Sequence, residues 1–223
     1  MIINDCVLDL KRYWAPYGSV APAATPWPDV SRYHTDGVVT TATWVQHPSG
    51  LWYKDFNSAT PDYVEVTCPQ LNFTSEDYSF VIRFNANSIA TDPVLFNRGF
   101  WATDGYYIRF TNTGYVSLYT FPVAAEDHSS TSVGSIVIDT WYTLGISKFG
   151  TAVNLYINGV DDTDVVGVHL APTTCARTAK VGIADDLTSV PFDGQISAIK
   201  VFSYALNPDQ QMQQHILLSN NWE

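Results

Sequence analysis

Carboxylate side chains are the first residues whose type and spacing could carry chemistry in this sequence of 223 residues. Only four of its 22 acidic residues are glutamates, namely Glu65, Glu76, Glu126 and Glu223. Retaining hydrolysis of a glycosidic bond needs two carboxyl groups about 5 Å apart on one face. No two of these glutamates have the sequence spacing that would bring them this close on one face. In the adjacent pairs Glu76-Asp77 and Glu126-Asp127, the two side chains would point to opposite faces of a strand. The sequence therefore argues against a hydrolase of this type.

The remaining reactive side chains form no recognisable catalytic or metal-binding pattern. The five histidines show neither an H-x-H nor an H-E-x-x-H spacing, and no serine lies in a G-x-S-x-G segment. The cysteines are odd in number and far apart, so they predict neither a disulfide framework nor a metal site: Cys6, Cys68 and Cys175. We expect three partly buried thiols.

Aromatic and basic residues of one predicted hairpin could instead bind a ligand. Segments 106–111 and 115–121 alternate around a turn at 112–114, so four side chains share the face opposite the core: Tyr107, Arg109, Tyr115 and Tyr119. Aromatic rings can stack on the C–H faces of sugars, and a guanidinium can donate to hydroxyl groups. Two loop tryptophans, Trp27 and Trp101, could extend this surface. The alternative is that these rings pack against another layer of the protein or a neighbouring subunit.

The clearest structural element is the segment from Trp141 to Gly159. Apolar residues recur at every second position in two runs, 142–146 and 153–157, and a short link containing glycine joins them. This pattern predicts a β-hairpin. Asn158-Gly159 tolerates positive φ and predicts a second tight turn into a further strand.

Other alternating segments are separated by turn signals about 8–12 residues apart, which is typical of a β-sandwich. Tyr78 to Phe84 alternates throughout and predicts a central strand. The polar segment 124–132 predicts a loop, and short strands are expected at 135–138 and 165–170. Residues 208–218 predict the one helix, with Asn207 as N-cap and Pro208 at the first helical position.

Two motifs resemble a known family. W-Y-T-L-G-I-S-K-F-G-T-A-V-N-L-Y-I-N-G at 141–159, and F-D-G-Q-I-S-A-I-K-V-F at 192–202 with Y-A-L-N-P-D-Q at 204–210, are similar to the signature hairpin and closing strand of the laminin-G-like, concanavalin-A-like lectin and glucanase family. The resemblance implies an all-β fold, an antiparallel jelly-roll sandwich with one short C-terminal helix. We expect a single domain over residues 1–223. The resemblance does not select a function, since such folds serve lectins, adhesion modules, enzymes and virion proteins.

The resemblance also implies a structural calcium ion. The chain ends run close together in this fold, so the candidate ligands are Asp29 and Asp36 in an early loop and Asp193 before the last strand. Ca²⁺ takes six to eight oxygen ligands, including backbone carbonyls. The alternative is that these aspartates cap turns. The acidic turn at 161–164 is a second candidate site.

Composition limits the partners. The formal net charge is −11, and the basic residues are scattered, so we expect no nucleic-acid partner. No apolar run approaches the roughly 20 residues that span a bilayer, so we expect no membrane insertion. The first nine residues lack the basic start and long apolar run of a signal peptide. A lectin-like chain of this kind suggests a piece of a longer protein, or a protein carried out on a particle released by lysis.

Three functions are compatible with these features. The first is a non-catalytic, lectin-like protein that recognises glycans and is displayed on an external surface or on a phage or virus particle. The second is a purely structural decoration or assembly protein, whose exposed aromatic rings contact neighbouring subunits in a homo-oligomer or larger particle. The third is a glycan-active hydrolase, which the spacing of the carboxylates disfavours.

Overall fold

The computed structural model describes residues 6–123 and 125–219 and consists of two antiparallel sheets and one α-helix, α1 (Pro208–Ser219). A short 3-10 helix lies at Pro69–Leu71. The described residues form seventeen strands: β1 (Cys6–Leu10), β2 (Tyr13–Trp14), β3 (Gly37–Thr40), β4 (Thr43–Gln46), β5 (Leu51–Phe56), β6 (Tyr63–Val66), β7 (Tyr78–Ser88), β8 (Val94–Arg98), β9 (Tyr106–Phe110), β10 (Val116–Thr120), β11 (Asp127–Thr131), β12 (Trp141–Phe149), β13 (Ala152–Ile157), β14 (Val160–Asp161), β15 (Thr163–Val165), β16 (Ala179–Val181) and β17 (Asp193–Phe202).

The strands divide between two sheets that pack face to face. The first sheet has nine strands in the order β14-β13-β12-β7-β17-β5-β2, with β1 also paired to β17 and β4 to β5. The second sheet has eight strands in the order β15-β11-β10-β9-β8-β16-β6-β3. The arrangement confirms the predicted all-β sandwich with a single short C-terminal helix.

The core lies between the sheets and follows from the alternation of the sequence. Phe80 and Phe84 of β7 are completely buried. The ring centroid of Phe80 lies 5.2 Å from that of Phe96, and the ring centroid of Phe84 lies 5.2 Å from that of Phe110; both partners belong to the second sheet. Burial of one such side chain contributes about 1.5–3 kcal/mol to stability. Register is therefore strongly determined, because a shift by one residue would turn these rings outward.

The predicted hairpin at 141–159 is confirmed. β12 and β13 pair so that Leu144 lies opposite Ile157 and Ile146 opposite Leu155. Asn158 and Gly159 have φ values of 52° and 79°, which is the left-handed conformation that the tight reversal into β14 requires.

Helix α1 covers part of the outer face of the first sheet. Leu206 and Leu218 pack on three apolar residues that this sheet turns away from the main core: Val81, Ala198 and Phe202. Gln211 is buried and its Nε2 donates to Ser147 Oγ at 2.9 Å. The predicted N-cap is confirmed, since Asn207 Oδ1 accepts a hydrogen bond from the backbone N–H of Gln210 at 2.9 Å. No helix in the described ranges is long and apolar enough to cross a membrane.

Three local predictions were wrong. Residues 127–131, expected to be loop, form β11, because the hydroxyl groups that make this segment polar are used inside the protein: Ser129 Oγ lies 2.9 Å from His169 Nε2. Residues 135–138 form no strand. The strand expected at 165–170 ends at Val165, after which Gly167 N–H donates to Ser129 Oγ and Leu170 N–H to Asp127 Oδ2.

Candidate ligand-binding site

A cavity of about 280 Å³ opens on the outer face of the second sheet. Strands β8 and β9 form its floor, and the loops 99–105 and 184–190 form its walls. We call it the Trp101 cavity, and its lining residues are Val94, Phe100, Trp101, Tyr107, Arg109, Ala184, Asp186, Ser189 and Val190.

Trp101 is the centre of an aromatic cluster on this face. Its ring centroid lies 5.4 Å from that of Tyr107, 4.9 Å from Tyr119 and 5.1 Å from Phe121. Tyr119 in turn stacks on His128 at 5.4 Å. Trp101 is half-buried, whereas Tyr107 and Phe121 beneath it are buried. The cluster therefore holds one partly exposed ring on a rigid apolar base.

The loop that carries Trp101 is fixed at both ends. Tyr107 donates its hydroxyl to the carbonyl of Gly99 at 3.0 Å, and Gly105 N–H donates to the carbonyl of Thr173 at 3.1 Å. Gly99 and Gly105 have φ values of 136° and 69°, and a Cβ at either position would collide with backbone. Only glycine satisfies this conformation and this close approach.

Arg109 supplies the hydrogen-bond donor of the cavity floor. Its Nη2 lies 3.2 Å from Asp92 Oδ2, and its guanidinium carbon lies 4.8 Å from the centroid of Trp101. The ion pair and the cation–π contact together orient the guanidinium. Nε of Arg109 is buried and has no acceptor among the described residues. Because Arg109 lines the cavity, its guanidinium can donate to a hydroxyl or carbonyl oxygen that enters there.

Asp186 supplies the acceptor at the rim. Its Oδ1 accepts from the backbone N–H groups of Thr188 (3.0 Å) and Ser189 (2.8 Å), and its Oδ2 accepts from Ser189 Oγ. Partial burial acts to raise the pKa of this carboxyl, but these hydrogen bonds outweigh it and lower the pKa below the ordinary value. Asp186 is therefore a fixed, ionised acceptor.

The four residues predicted for the binding face do share one side of the hairpin, but only two line the cavity. Tyr107 and Tyr119 are register partners in β9 and β10. Tyr107 is 2% exposed, and burial raises its pKa to about 12, so it serves mainly as support. Arg109 lines the cavity, and Tyr119 supports Trp101. Tyr115 is half-buried, precedes β10 and is not among the lining residues.

Of the two loop tryptophans proposed as extensions, Trp101 is central and Trp27 is not available. Trp27 is 0% exposed, belongs to the core, and donates its Nε1–H to the carbonyl of Lys11 at 2.9 Å. The expectation of an exposed ring was wrong because the loop that carries Trp27 turns its indole into the core.

Asp92, Asp186 and Ser189 were not identified from the sequence. They lie in loops, where no alternation marks which side chains meet. The one available signal is the D-x-T-S segment at 186–189, in which an aspartate is followed by residues whose N–H and hydroxyl groups it can accept.

The carboxylate of Asp29 organises an early loop. Asp29 is 2% exposed; its Oδ1 accepts from the N–H groups of Asp9 (2.8 Å) and Ser31 (2.9 Å), and its Oδ2 from Ser31 Oγ (2.7 Å) and Thr35 N–H (2.9 Å). Asp36 Oδ1 accepts from the N–H of Asp29 at 2.8 Å. These contacts fit the turn-capping alternative, because hydrogens already point at the oxygens that a cation would need.

Asp193 lies in β17 and bonds to other partners. Its Oδ2 accepts from Ser58 Oγ at 2.8 Å and its Oδ1 from Asn87 Nδ2 at 3.1 Å. Within residues 6–123 and 125–219, no three Asp, Glu, His or Cys side chains form a group that could hold a metal ion. Calcium binding at Asp29, Asp36 or Asp193 stays a prediction.

Comparison with known families identifies the class. Residues 58–210 match the family model described as the concanavalin A-like lectin/glucanases superfamily, of laminin G type. The match covers more than half of the sequence, and the chain therefore belongs to this family. No curated protein sequence matches the chain.

Solved structures with the same fold include domains of toxins and of an enzyme. The binding domain of Paraclostridial Mosquitocidal Protein 1 superposes with a TM-score of 0.73 at 14% identity, over 99% of this chain and 54% of that one. The receptor-binding domain of botulinum neurotoxin D gives 0.69 at 14% identity, over 98% and 54%. Domain 4 of AbnA, an extracellular arabinanase of Geobacillus stearothermophilus in complex with arabinotriose, gives 0.65 at 17% identity, over 94% and 98%. The chain thus spans about half the length of the toxin domains. At these identities the likeness concerns the fold.

Proposed function

We propose that this protein is a non-catalytic, lectin-like domain that binds glycans in the Trp101 cavity. The observation that carries the proposal is the position of a half-buried indole beside a guanidinium and a carboxylate, all held by contacts within the protein. An aromatic ring offers a flat face to the C–H groups of a sugar, while Arg109 donates to and Asp186 accepts from its hydroxyls.

The solved neighbours support a binding role. They include binding or receptor-binding domains of toxins and an arabinanase domain in complex with arabinotriose. Arabinotriose is therefore a suitable first probe. Display on an external surface or on a virus particle is part of the proposal, as is attachment to a longer protein or particle.

Binding rather than cleavage is favoured by the carboxylates of the site. Asp186 is the one carboxylate that lines the cavity in the described part of the chain, and hydrogen bonds lower its pKa. A retaining or inverting glycosidase needs a second carboxyl group, one of the two with a raised pKa.

A purely structural assembly protein is the second candidate. Its support is a group of exposed valines along the edge strands and the segment that follows them: Val160, Val165, Val166 and Val168. Unpaired strand edges and apolar side chains together favour contact with another protein. Measurement of mass by light scattering at several concentrations would distinguish a monomer from such an assembly.

The test of the glycan proposal is Trp101→Ala. Removal of the ring should weaken binding of the best ligand from a glycan array, with arabinotriose included, by about thirtyfold or more, since loss of a central aromatic contact often costs about 2 kcal/mol or more. Isothermal titration calorimetry measures the change. Trp14→Ala is the matched control, because Trp14 is 62% exposed on the first sheet and should leave affinity unchanged. Equal losses in both variants, or none in Trp101→Ala, would contradict the proposed site.

A further inference from the structure

The charged groups around the Trp101 cavity are mostly neutralised in pairs. On the floor, Arg109 is paired with Asp92 at 3.2 Å, and these side chains are 19% and 38% exposed. The positive charge that could attract an acidic ligand is therefore balanced by an adjacent carboxylate.

A second pair lies behind the wall formed by Phe100. Arg177 Nη1 is 2.6 Å from Asp185 Oδ2, and its Nε is 3.9 Å from Asp104 Oδ2. The guanidinium carbon also lies 5.2 Å from the Phe100 centroid. Two carboxylates thus surround one guanidinium, so this side of the cavity offers no free positive charge either.

Asp186 differs from these groups because its partners carry no charge. It accepts from two backbone N–H groups and one hydroxyl, and it forms no ion pair among the described residues. It is exposed at the rim, where an entering ligand passes it. The uncompensated charge of the cavity is therefore negative, in a protein whose net charge is already −11.

We infer that the Trp101 cavity selects neutral glycans and rejects those that present a carboxylated sugar, with Asp186 as the discriminating residue. The inference rests on the proposed function and deepens it, since it names the class of glycan that the same site takes. Neutral hydroxyls gain a charged acceptor from Asp186, whereas a uronic or sialic acid meets like charge.

The experiment compares neutral sugars with sugars that carry a carboxylate. The probes are arabinotriose and matched pairs ending in glucose or glucuronic acid, in galactose or galacturonic acid, and in galactose with or without a sialic acid cap. The wild-type protein should bind neutral probes and bind the acidic partner of any bound pair at least about fivefold more weakly, which is the effect of one unit charge at about 4 Å in water. The difference should shrink in about 1 M salt, where the Debye length falls to about 3 Å.

Asp186→Asn should reduce the discrimination or bring acidic probes into the measurable range, while Trp101→Ala should weaken binding of both kinds. Asp139→Asn is the control, since Asp139 is an exposed aspartate outside the cavity lining and its loss should not alter the ratio. Equal or tighter binding of acidic probes by the wild-type protein, or a ratio unchanged in Asp186→Asn, would overturn the inference and leave the proposed function standing. Failure of every probe, neutral and acidic, to bind would overturn both.

Discussion

The outer face of the first sheet and the outer face of the second sheet are covered in different ways. On the first sheet, α1 lies over three apolar residues, and two of its glutamines, Gln211 and Gln214, are buried. On the second sheet, a loop lays Trp101 over Tyr107 and Phe121 and leaves a cavity of about 280 Å³ beside it.

We expect the face covered by the helix to contribute mainly to stability and the face covered by the loop mainly to ligand binding. A helix can cover a flat patch of apolar side chains because its own side chains interdigitate with them. The loop 99–105, which is fixed at Gly99 and Gly105, instead leaves a cavity with the Trp101 ring at its edge. We therefore expect substitutions under the helix to change mainly the free energy of unfolding, and substitutions around Trp101 to change mainly affinity.

The largest expected effect is on the first sheet. Leu206→Ala should lower the free energy of unfolding by about 2–5 kcal/mol, because it opens a cavity in the small cluster that anchors α1. Urea denaturation followed by circular dichroism measures the loss. Glycan affinity of the folded fraction should equal that of the wild-type protein, and a parallel loss of affinity would show that the two faces are coupled.

The second effect is a dependence on pH that belongs to the second sheet. His169 is buried with Thr120 Oγ1 and Ser129 Oγ each 2.9 Å from a ring nitrogen, and burial lowers its pKa to about 4. The unfolded chain therefore takes up the proton first, so the stabilisation is complete above about pH 6.5 and is lost as the pH falls toward 4. Between pH 7.5 and 4.5 this loss should be about 2–3 kcal/mol.

His169→Gln tests this prediction, because glutamine keeps hydrogen-bonding capacity without titrating. Denaturation of both proteins at several pH values measures the difference, and the carboxylates that also titrate are common to both. Curves that remain parallel from pH 7.5 to 4.5 would exclude His169 as the cause.

A smaller effect is expected for the ion pair on the cavity floor. Arg109→Met keeps an unbranched side chain of similar length and removes the guanidinium that lies over Trp101. Glycan affinity should therefore fall several-fold while the free energy of unfolding changes by less than about 1 kcal/mol, as for other partly exposed pairs. Calorimetry and urea denaturation measure the two quantities. A large stability loss with unchanged affinity would place Arg109 with the structural residues.

The smallest expected effect is that of calcium on stability. The Asp29 carboxylate in the early loop already accepts hydrogen bonds from N–H and hydroxyl groups of the protein. If calcium binds there, adding Ca²⁺ should raise the melting temperature and chelation should lower it, by no more than about 2–4 °C, equivalent to about 1 kcal/mol in a chain of this size. Asp29→Asn should destabilise the protein with or without the ion. A larger shift, abolished by Asp193→Asn, would instead establish a calcium site.

The fold was predictable because period-two alternation and turn chemistry are local signals. The hairpin at 141–159 and the helix after Asn207 follow from residues close together in the chain. Strand β11 was missed because the partner that satisfies Ser129 is His169, which lies 40 residues further on. Asp92 and Asp186 were missed for the same reason, since the cavity forms only when separate loops meet over β8 and β9.

The first and last described elements, β1 and α1, both lie on the first sheet: β1 pairs with β17, and α1 packs over the same sheet. A tether joined to either end of the described chain would therefore depart on the side opposite the Trp101 cavity. For a sensor surface or a fusion partner, this means that attachment close to Cys6 or Ser219 leaves the opening facing the medium, whereas coupling through random lysines does not ensure it.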